Sequence, residues 1–127
     1  MDRKKLFKTL AYLIFLIFIV TFTANKFYWY YSIPYLDMIM HFLCGFWVGL
    51  AFTYLFPFKA EEKFAKFALK TLLFVLLIGV GWEVFEILVN DVLARNPFDF
   101  PDTFSDLFFD LFGGLCAILY VWKKLPK

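Results

Sequence analysis

The sequence is short of charge and lacks the features typical of soluble or nucleic-acid-binding proteins. Charged residues make up 19% of its 127 residues, and the net charge of +2 offers no basic patch for nucleic acid. Internal repeats, low-complexity tracts and domain linkers are absent, which favours a single domain over residues 1–127. Hydrophobic residues make up 63% of the chain, against about 45–50% in a soluble domain. The composition therefore predicts a membrane protein.

The apolar residues are concentrated in four runs, and a transmembrane helix needs about 20 such residues. The runs cover residues 6–24, 35–56, 64–90 and 103–122. The first run follows the basic start of the chain, but it exceeds the roughly 7–15 residues of a secretory signal core and has no small-x-small cleavage site. We therefore predict an all-α, multi-pass integral membrane protein, a bundle of four transmembrane helices.

Lysine and arginine are distributed unevenly between the two sides of such a bundle. In a four-pass topology, Lys26 and Arg95 fall on one side. The other basic residues fall on the opposite side: Arg3, Lys4, Lys5, Lys8, Lys59, Lys63, Lys66, Lys70, Lys123, Lys124 and Lys127. Because the side richer in lysine and arginine stays in the cytoplasm, we predict that both termini are cytoplasmic.

Cysteine is scarce, with only Cys44 and Cys116 present. At about 1.5 Å of helical rise per residue, they lie about 12 and 20 Å below the outer surface, a poor depth match for a disulfide. We expect two free thiols that pack as small buried hydrophobic side chains.

Seven ionisable residues lie inside or at the edge of the apolar runs. A charge at the centre of a bilayer costs roughly 2.5–3.5 kcal/mol, so such residues usually face a protein interior and have a function there. The seven are Asp37, His41, Glu83, Glu86, Asp102, Asp106 and Asp110.

In the second span, Asp37 and His41 share a helical face with Gly45 and Gly49. The glycines would let another backbone approach that face. Asp37 is also explained by its place in a first turn, where the helix dipole favours a carboxylate. For His41, a structural pairing with Asp37 and a ligand or proton-transfer role are equally good interpretations.

In the third span, Glu83 and Glu86 share a narrow face with Gly79 and Asn90. Both glutamates approach the end of a helix, where the dipole disfavours anions, so capping does not explain them. The structural alternative is a pair of protonated glutamates that form hydrogen bonds with neighbouring helices.

In the fourth span, Thr103 and Asp106 fit a capping box, and Asp102 suits a helix start after Pro101. Asp110 lies two turns further in and has no such explanation. A functional role is the favoured interpretation for Asp110.

The three sets of residues agree in depth, which suggests one pocket that opens to the outer face. At about 1.5 Å per residue, His41 lies about 8 Å below the boundary, and Glu83 and Asp110 about 10 Å. So many carboxylates cannot all stay ionised at low dielectric, so either several are protonated or a cation lies among them. Carboxylates with one imidazole suit Mg²⁺, Mn²⁺, Ca²⁺ or Zn²⁺. We therefore predict a divalent cation at four ligands: His41, Glu83, Glu86 and Asp110.

Three blocks of the sequence resemble the VanZ-like family of small bacterial membrane proteins and its uncharacterised relatives. They are DMIMH at 37–41, GWEVFE at 81–86, and Arg95 followed by DLFFDLFGG at 106–114. The family tends to have Glu-x-x-Gln where this chain has Glu83 and Glu86, and Asn where it has Asp110, so this pocket is more acidic. The resemblance implies a multi-pass protein of the bacterial cytoplasmic membrane with a role in the cell envelope.

Three functional hypotheses follow from these residues. The first is a metal-assisted hydrolase or transferase acting on a lipid or lipid-linked envelope substrate, with Asp37 or Asp106 as proton acceptor and Arg95 holding an anionic headgroup. The second is a non-catalytic scaffold or accessory protein of the envelope whose acids specify helix packing. The third, a cation- or proton-coupled carrier, is disfavoured because few polar residues lie below Glu83 and Asp110. Membrane lipids are expected partners, nucleic acid is not, and Gly45 and Gly49 leave a homo-oligomer open.

Overall fold

The computed structural model describes residues 2–59, 61–89 and 100–125, and every regular element in these ranges is a helix. The helices are α1 (Arg3–Lys26), α2 (Trp29–Ser32), α3 (Leu36–Leu55), α4 (Phe64–Ile87) and α5 (Phe100–Lys124). All except α2 are long and apolar enough to cross a membrane. The prediction of an all-α protein with four membrane-spanning helices is confirmed.

Two helices begin earlier than the hydrophobic runs predicted. The Asp2 side chain accepts hydrogen bonds from the backbone N–H groups of Lys4 and Lys5, so α1 begins at Arg3. Helix α5 begins at Phe100, because Pro101 is tolerated in a first turn, where its missing N–H is not needed. Hydropathy alone does not find these starts, because charged residues separate them from the apolar runs: Arg3, Lys4 and Lys5 in α1, and Asp102 in α5.

The short helix α2 was not predicted from the sequence. Tyr28, in the left-handed conformation at φ 57°, turns the chain after α1. The Ser32 hydroxyl then donates to the Tyr28 carbonyl oxygen at 2.9 Å. This segment carries Tyr30 towards the end of the bundle at which α3 begins.

Spanning helices that follow one another in the chain run antiparallel, whereas α3 and α5 run parallel, and this arrangement separates the ends of the bundle by charge. Arg3 at the start of α1 lies over the ring of Tyr54 at the end of α3, and the ring of Trp122 near the end of α5 contacts that of Phe64 at the start of α4. The basic residues of α1, α4 and α5, with the exception of Lys26, therefore gather at one end. We call it the basic end, and the carboxylates of the spans lie towards the other.

Helices α3 and α5 form the most extensive contact, and glycines make it close. The glycines at this contact are Gly45, Gly49 and Gly113. A Cβ atom added at Gly45 would overlap the Asp110 backbone, and one at Gly113 would overlap the Phe42 carbonyl oxygen. One at Gly49 would lie 2.7 Å from Ala117 Cβ. The predicted backbone approach is confirmed, and these glycines are used within the chain, which removes the reason given above for an oligomer.

The larger of two apolar core clusters among the described residues fills the half of the bundle nearer the basic end, and a smaller one joins α1 to α3 towards the other end. The largest buried side chains of the larger cluster are Leu50, Phe67, Ile118 and Val121, which come from α3, α4 and α5. Many large apolar side chains instead point outward on the spanning helices, as expected of a surface in contact with lipid. The core closes the bundle beneath the polar residues described below.

Helix α1 lies at the edge of the bundle and packs mainly on α3. The indole N–H of Trp47 donates to the Leu10 carbonyl oxygen at 2.8 Å and ties the two helices together.

Replacing Trp47 with phenylalanine should weaken this attachment. Interhelical hydrogen bonds in membrane proteins contribute about 0.6 kcal/mol on average and up to about 1.7 kcal/mol, so we expect a loss of about 1 kcal/mol. Unfolding in a mixed detergent titration would measure it. Trp29→Phe, at a residue with no hydrogen bond from its indole within the described ranges, should leave the unfolding midpoint unchanged. Equal midpoints for Trp47→Phe and Trp29→Phe would contradict the assigned role of Trp47.

Candidate functional site

Three helices bring six of the seven ionisable residues together. We call them the acid–His cluster: Asp37 and His41 from α3, Glu83 and Glu86 from α4, and Asp106 and Asp110 from α5. Each pair is spaced three or four residues apart, which places its two members on one face of its helix. The cluster lies above the apolar core, towards the end of the bundle opposite the basic end.

His41 is the centre of the cluster. Its Nδ1 lies 2.9 Å from Asp110 Oδ1, and its Nε2 lies 3.4 Å from Asp106 Oδ2 and 3.7 Å from Asp37 Oδ1. An ionised Asp110 accepts a hydrogen bond from Nδ1–H, so the lone pair of a neutral ring then lies on Nε2, facing two carboxylates. A second proton on the ring or a cation between the three groups would relieve that repulsion.

The hydrogen bonding of Thr103 and Asp106 differs from the predicted capping box. Because α5 begins at Phe100, Thr103 lies inside the helix, and its hydroxyl donates to Glu83 Oε2 at 3.3 Å. Asp106 is 2% exposed and faces His41. The capping interpretation was wrong, and α5 instead presents Thr103, Asp106 and Asp110 to α3 and α4.

The two glutamates of α4 have different surroundings. Glu83 is 4% exposed, and within the described residues its Oε1 is buried with no hydrogen-bond partner. Glu86 is half-buried, and its Oε1 accepts a hydrogen bond from the indole N–H of Trp82 at 2.8 Å. Glu83 therefore belongs to the interior of the cluster and Glu86 to its edge.

Two sets of side chains have the spacing of metal ligands. One oxygen or nitrogen from each of Asp37, His41 and Asp106 lies within 4.8 Å of the others, and the same holds for Glu83, Glu86 and Asp106. Of the four predicted ligands, His41, Glu83 and Glu86 are therefore in such sets. Asp110 is in neither and instead contacts the ring of His41.

A cavity of about 450 Å³ opens beside the cluster, between α1 and α4; we call it the lateral cleft. The backbones of α1 and α4 do not approach each other, so α3 forms the floor. Four members of the acid–His cluster line it: Asp37, His41, Glu86 and Asp110. Glu83 and Asp106 lie behind them. Most of the remaining lining is apolar, with Met40, Val48, Val75 and Ile78 among it.

Tyr30 and Cys44 also line the cleft, and neither was predicted to belong to a functional site. Burial raises the pKa of the Tyr30 phenol, so the hydroxyl stays protonated at neutral pH. Cys44 is exposed, contrary to the expectation of a buried thiol, whereas Cys116 is partly buried. Both cysteines are free, as predicted. Tyr30 lies on α2, a helix that no pattern indicated, which explains why it was missed.

Some predicted residues lie outside the described part of the chain. Asn90 and Arg95 fall in the range 90–99, and the description of Asp102 does not extend to its side chain. The predicted headgroup contact of Arg95 therefore stays a prediction.

The comparison with known families gives one match. The family model described as "Predicted membrane protein (DUF2238)" covers residues 1–127. No curated protein and no solved structure matches the chain significantly. The match supports membership of a family of membrane proteins, and it does not support the VanZ-like family specifically.

Proposed function

The chain belongs to the DUF2238 family of predicted membrane proteins, and we propose that it is a membrane-embedded enzyme that uses a divalent cation to hydrolyse or transfer a group of a lipid or lipid-linked substrate. The observation that carries this proposal is the gathering of five carboxylates and one imidazole from three helices beside a cleft among membrane-spanning helices. Carboxylates placed in an apolar environment are costly unless a charge of opposite sign compensates them.

His41, Glu83, Glu86 and Asp106 are the residues best placed to hold the cation. Bound there, it would polarise a phosphoryl or acyl oxygen and favour the ionised form of a nearby water. We assign Asp110 a positioning role, because its contact with Nδ1 holds the ring of His41 with Nε2 towards Asp106 and Asp37. Partners of this kind orient the histidine ligands of many metal sites.

Asp37 is the better candidate for the proton acceptor. Its side chain is 43% exposed, against 2% for Asp106, so it can exchange protons with solvent. In hydrolysis, water would add its OH to the phosphorus or acyl carbon as the bond to the ester oxygen breaks. The proton would pass to Asp37 and then to the leaving alcohol. Arg95 remains our proposal for the anionic headgroup.

The lateral cleft supports a lipid as substrate. Its apolar lining would suit a hydrocarbon chain that enters from the bilayer, and its polar end would place the headgroup at His41 and Glu86. We further propose a setting in the bacterial cytoplasmic membrane with cytoplasmic termini, which agrees with the lysine distribution and the VanZ-like motifs. The acid–His cluster would then face the envelope.

A scaffold without catalysis is the second candidate. The contacts of His41 with Asp110 and of Thr103 with Glu83 join α3, α4 and α5, as packing contacts would. Such contacts contribute about 0.6 kcal/mol each on average, which is small compared with the cost of burying this many ionisable groups. A carrier is less favoured, because the apolar core closes the bundle beneath the cluster.

Cation binding and lipid turnover together test the enzyme proposal. We expect the purified protein to bind Mn²⁺ in equilibrium dialysis and to hydrolyse, or transfer a group from, at least one member of a panel containing a phospholipid, a polyprenyl diphosphate and a neutral acyl ester. His41→Ala and Glu86→Gln should lower both binding and turnover at least tenfold. Thr9→Ala is the control, because this hydroxyl is bonded within α1 at the basic end. Unchanged binding and turnover in His41→Ala would refute the proposal.

Asp110→Asn tests the positioning role. An asparagine side chain can either accept a hydrogen bond from Nδ1–H or donate one to Nδ1, so it no longer favours one tautomer of His41. We expect the variant to fold and to lose 10–100-fold in Mn²⁺ affinity. Because His41 is the only histidine, ¹⁵N NMR of labelled imidazole with Zn²⁺ reports its tautomer without ambiguity. A protonated Nδ1 in the parent protein and a mixture in Asp110→Asn would support the role. An unchanged spectrum and affinity would exclude it.

A further inference from the structure

The acid–His cluster is built from two ligand sets that share one residue. Helix α3 supplies Asp37 and His41 to the first set, and α4 supplies Glu83 and Glu86 to the second. Asp106 of α5 belongs to both. Asp106 therefore lies between the α3 residues and the α4 residues. Its carboxylate has two oxygens, one for each of two ions.

The first set already has the separations found around a bound ion. Two ligands that bond a tetrahedral cation at 2.0–2.1 Å lie about 3.3 Å apart. His41 Nε2 lies 3.4 Å from Asp106 Oδ2 and 3.7 Å from Asp37 Oδ1. Small side-chain movements would suffice to close this set around an ion.

In the second set, Glu83 independently indicates a ligand. Its side chain is more than nine-tenths buried, and although Oε2 accepts a hydrogen bond from Thr103, Oε1 has no partner within the described residues. A buried carboxylate oxygen of this kind costs several kcal/mol if it stays uncompensated. A cation held with Glu86 and Asp106 would compensate it.

Charge balance favours two ions over one. The four carboxylates of the two sets would carry four negative charges when ionised. One divalent cation would leave half of that charge in an apolar bundle, whereas two would balance it. The imidazole of the first set and the carboxylates of the second are both acceptable to Mn²⁺, which makes it a suitable probe.

We propose that the acid–His cluster holds two divalent cations, one between α3 and α5 and one between α4 and α5, bridged by the carboxylate of Asp106. The inference rests on the proposed function, since it presumes that the cluster binds cations. Paired ions about 3.5–4 Å apart are typical of enzymes that displace groups at phosphorus. The substrate class is therefore a lipid phosphate ester or diphosphate, with its phosphoryl group between the ions. Asp37 keeps a second oxygen that can accept a proton.

Metal stoichiometry tests the proposal without turnover. The full-length protein in detergent should bind two Mn²⁺ per chain in equilibrium dialysis, and electron paramagnetic resonance should show exchange coupling between them. Asp37→Asn and Glu86→Gln each remove a ligand from one set, so each should bind one Mn²⁺ at the same concentration and lose the coupling. Glu61→Gln, at an exposed residue near the basic end, should still bind two.

The outcomes separate this inference from the proposed function. No Mn²⁺ bound to the parent protein overturns both, whereas one ion per chain overturns only the two-cation centre. The two-cation centre is also overturned if Asp37→Asn or Glu86→Gln still binds two ions, or if either variant binds none. Asp106→Asn should abolish the coupling, but Asp106 is buried at a helix contact. If Asp106→Asn does not fold, Asp37→Asn and Glu86→Gln, at less buried residues, decide the question.

Discussion

Gly45→Ala should prevent stable folding of the bundle, whereas Gly81→Ala should leave its stability nearly unchanged. The added methyl at Gly45 would overlap the backbone carbonyl group of Asp110, which belongs to the helix itself and cannot rotate away. Overpacking usually costs about 1–3 kcal/mol, and a clash with backbone belongs at or above the top of that range. We therefore expect a loss of more than about 3 kcal/mol.

Gly81 is a matched control on a neighbouring helix. A Cβ atom there would meet nothing within 4 Å, so its effect should stay within about 0.5 kcal/mol. Detergent titration followed by tryptophan fluorescence, with size-exclusion chromatography to measure the folded fraction, would compare the two variants. If Gly45→Ala matched Gly81→Ala in both measurements, the close contact of α3 and α5 would be wrong.

Glu83→Met should stabilise the chelator-treated protein and at the same time weaken its stabilisation by cations. Replacing buried ionic groups with apolar side chains of similar volume often adds about 1–4 kcal/mol, and Glu83 is buried with one oxygen unpartnered among the described residues. A bound cation stabilises the folded state by about 2.7 kcal/mol at a concentration of 100 times Kd. Glu83→Met should lose much of that gain, because one ligand is missing.

The result distinguishes a cation site from a set of packing contacts. If the carboxylates serve only to join helices, losing the bond from Thr103 should make Glu83→Met less stable with and without cation. Unfolding titrations in chelator and in Mn²⁺ measure both effects. Glu61→Met, an exposed carboxylate removed near the basic end, should show neither.

Helical spacing explains what could be predicted from the sequence. The separation of four residues between Asp37, His41 and Gly45 places them on one face whatever the partner helix, so both the backbone approach and the shared polar face followed. The spacing of Glu83 and Glu86 likewise fixed their common face. These are local properties of one helix, and six of the seven ionisable residues do meet.

The rest depends on contacts between distant parts of the chain. No local pattern indicates that α3 packs most closely on α5, or that α1 and α4 stand apart and leave a cleft. The capping interpretation of Asp106 failed because a threonine followed three residues later by an acid has the same spacing inside a helix as at its start. The choice between a cap and an interior site requires the partner helix.

The separation of the basic end from the acid–His cluster gives the molecule an electric dipole along the bundle axis. The energy of the inserted protein therefore depends on the membrane voltage, by about 2.3 kcal/mol for each elementary charge moved through 100 mV. In the orientation proposed above, with the basic end on the negative side, that voltage would favour this direction of insertion. The same field drives soluble dications from the positive side towards the carboxylates, so an energised membrane would raise their occupancy at a fixed concentration.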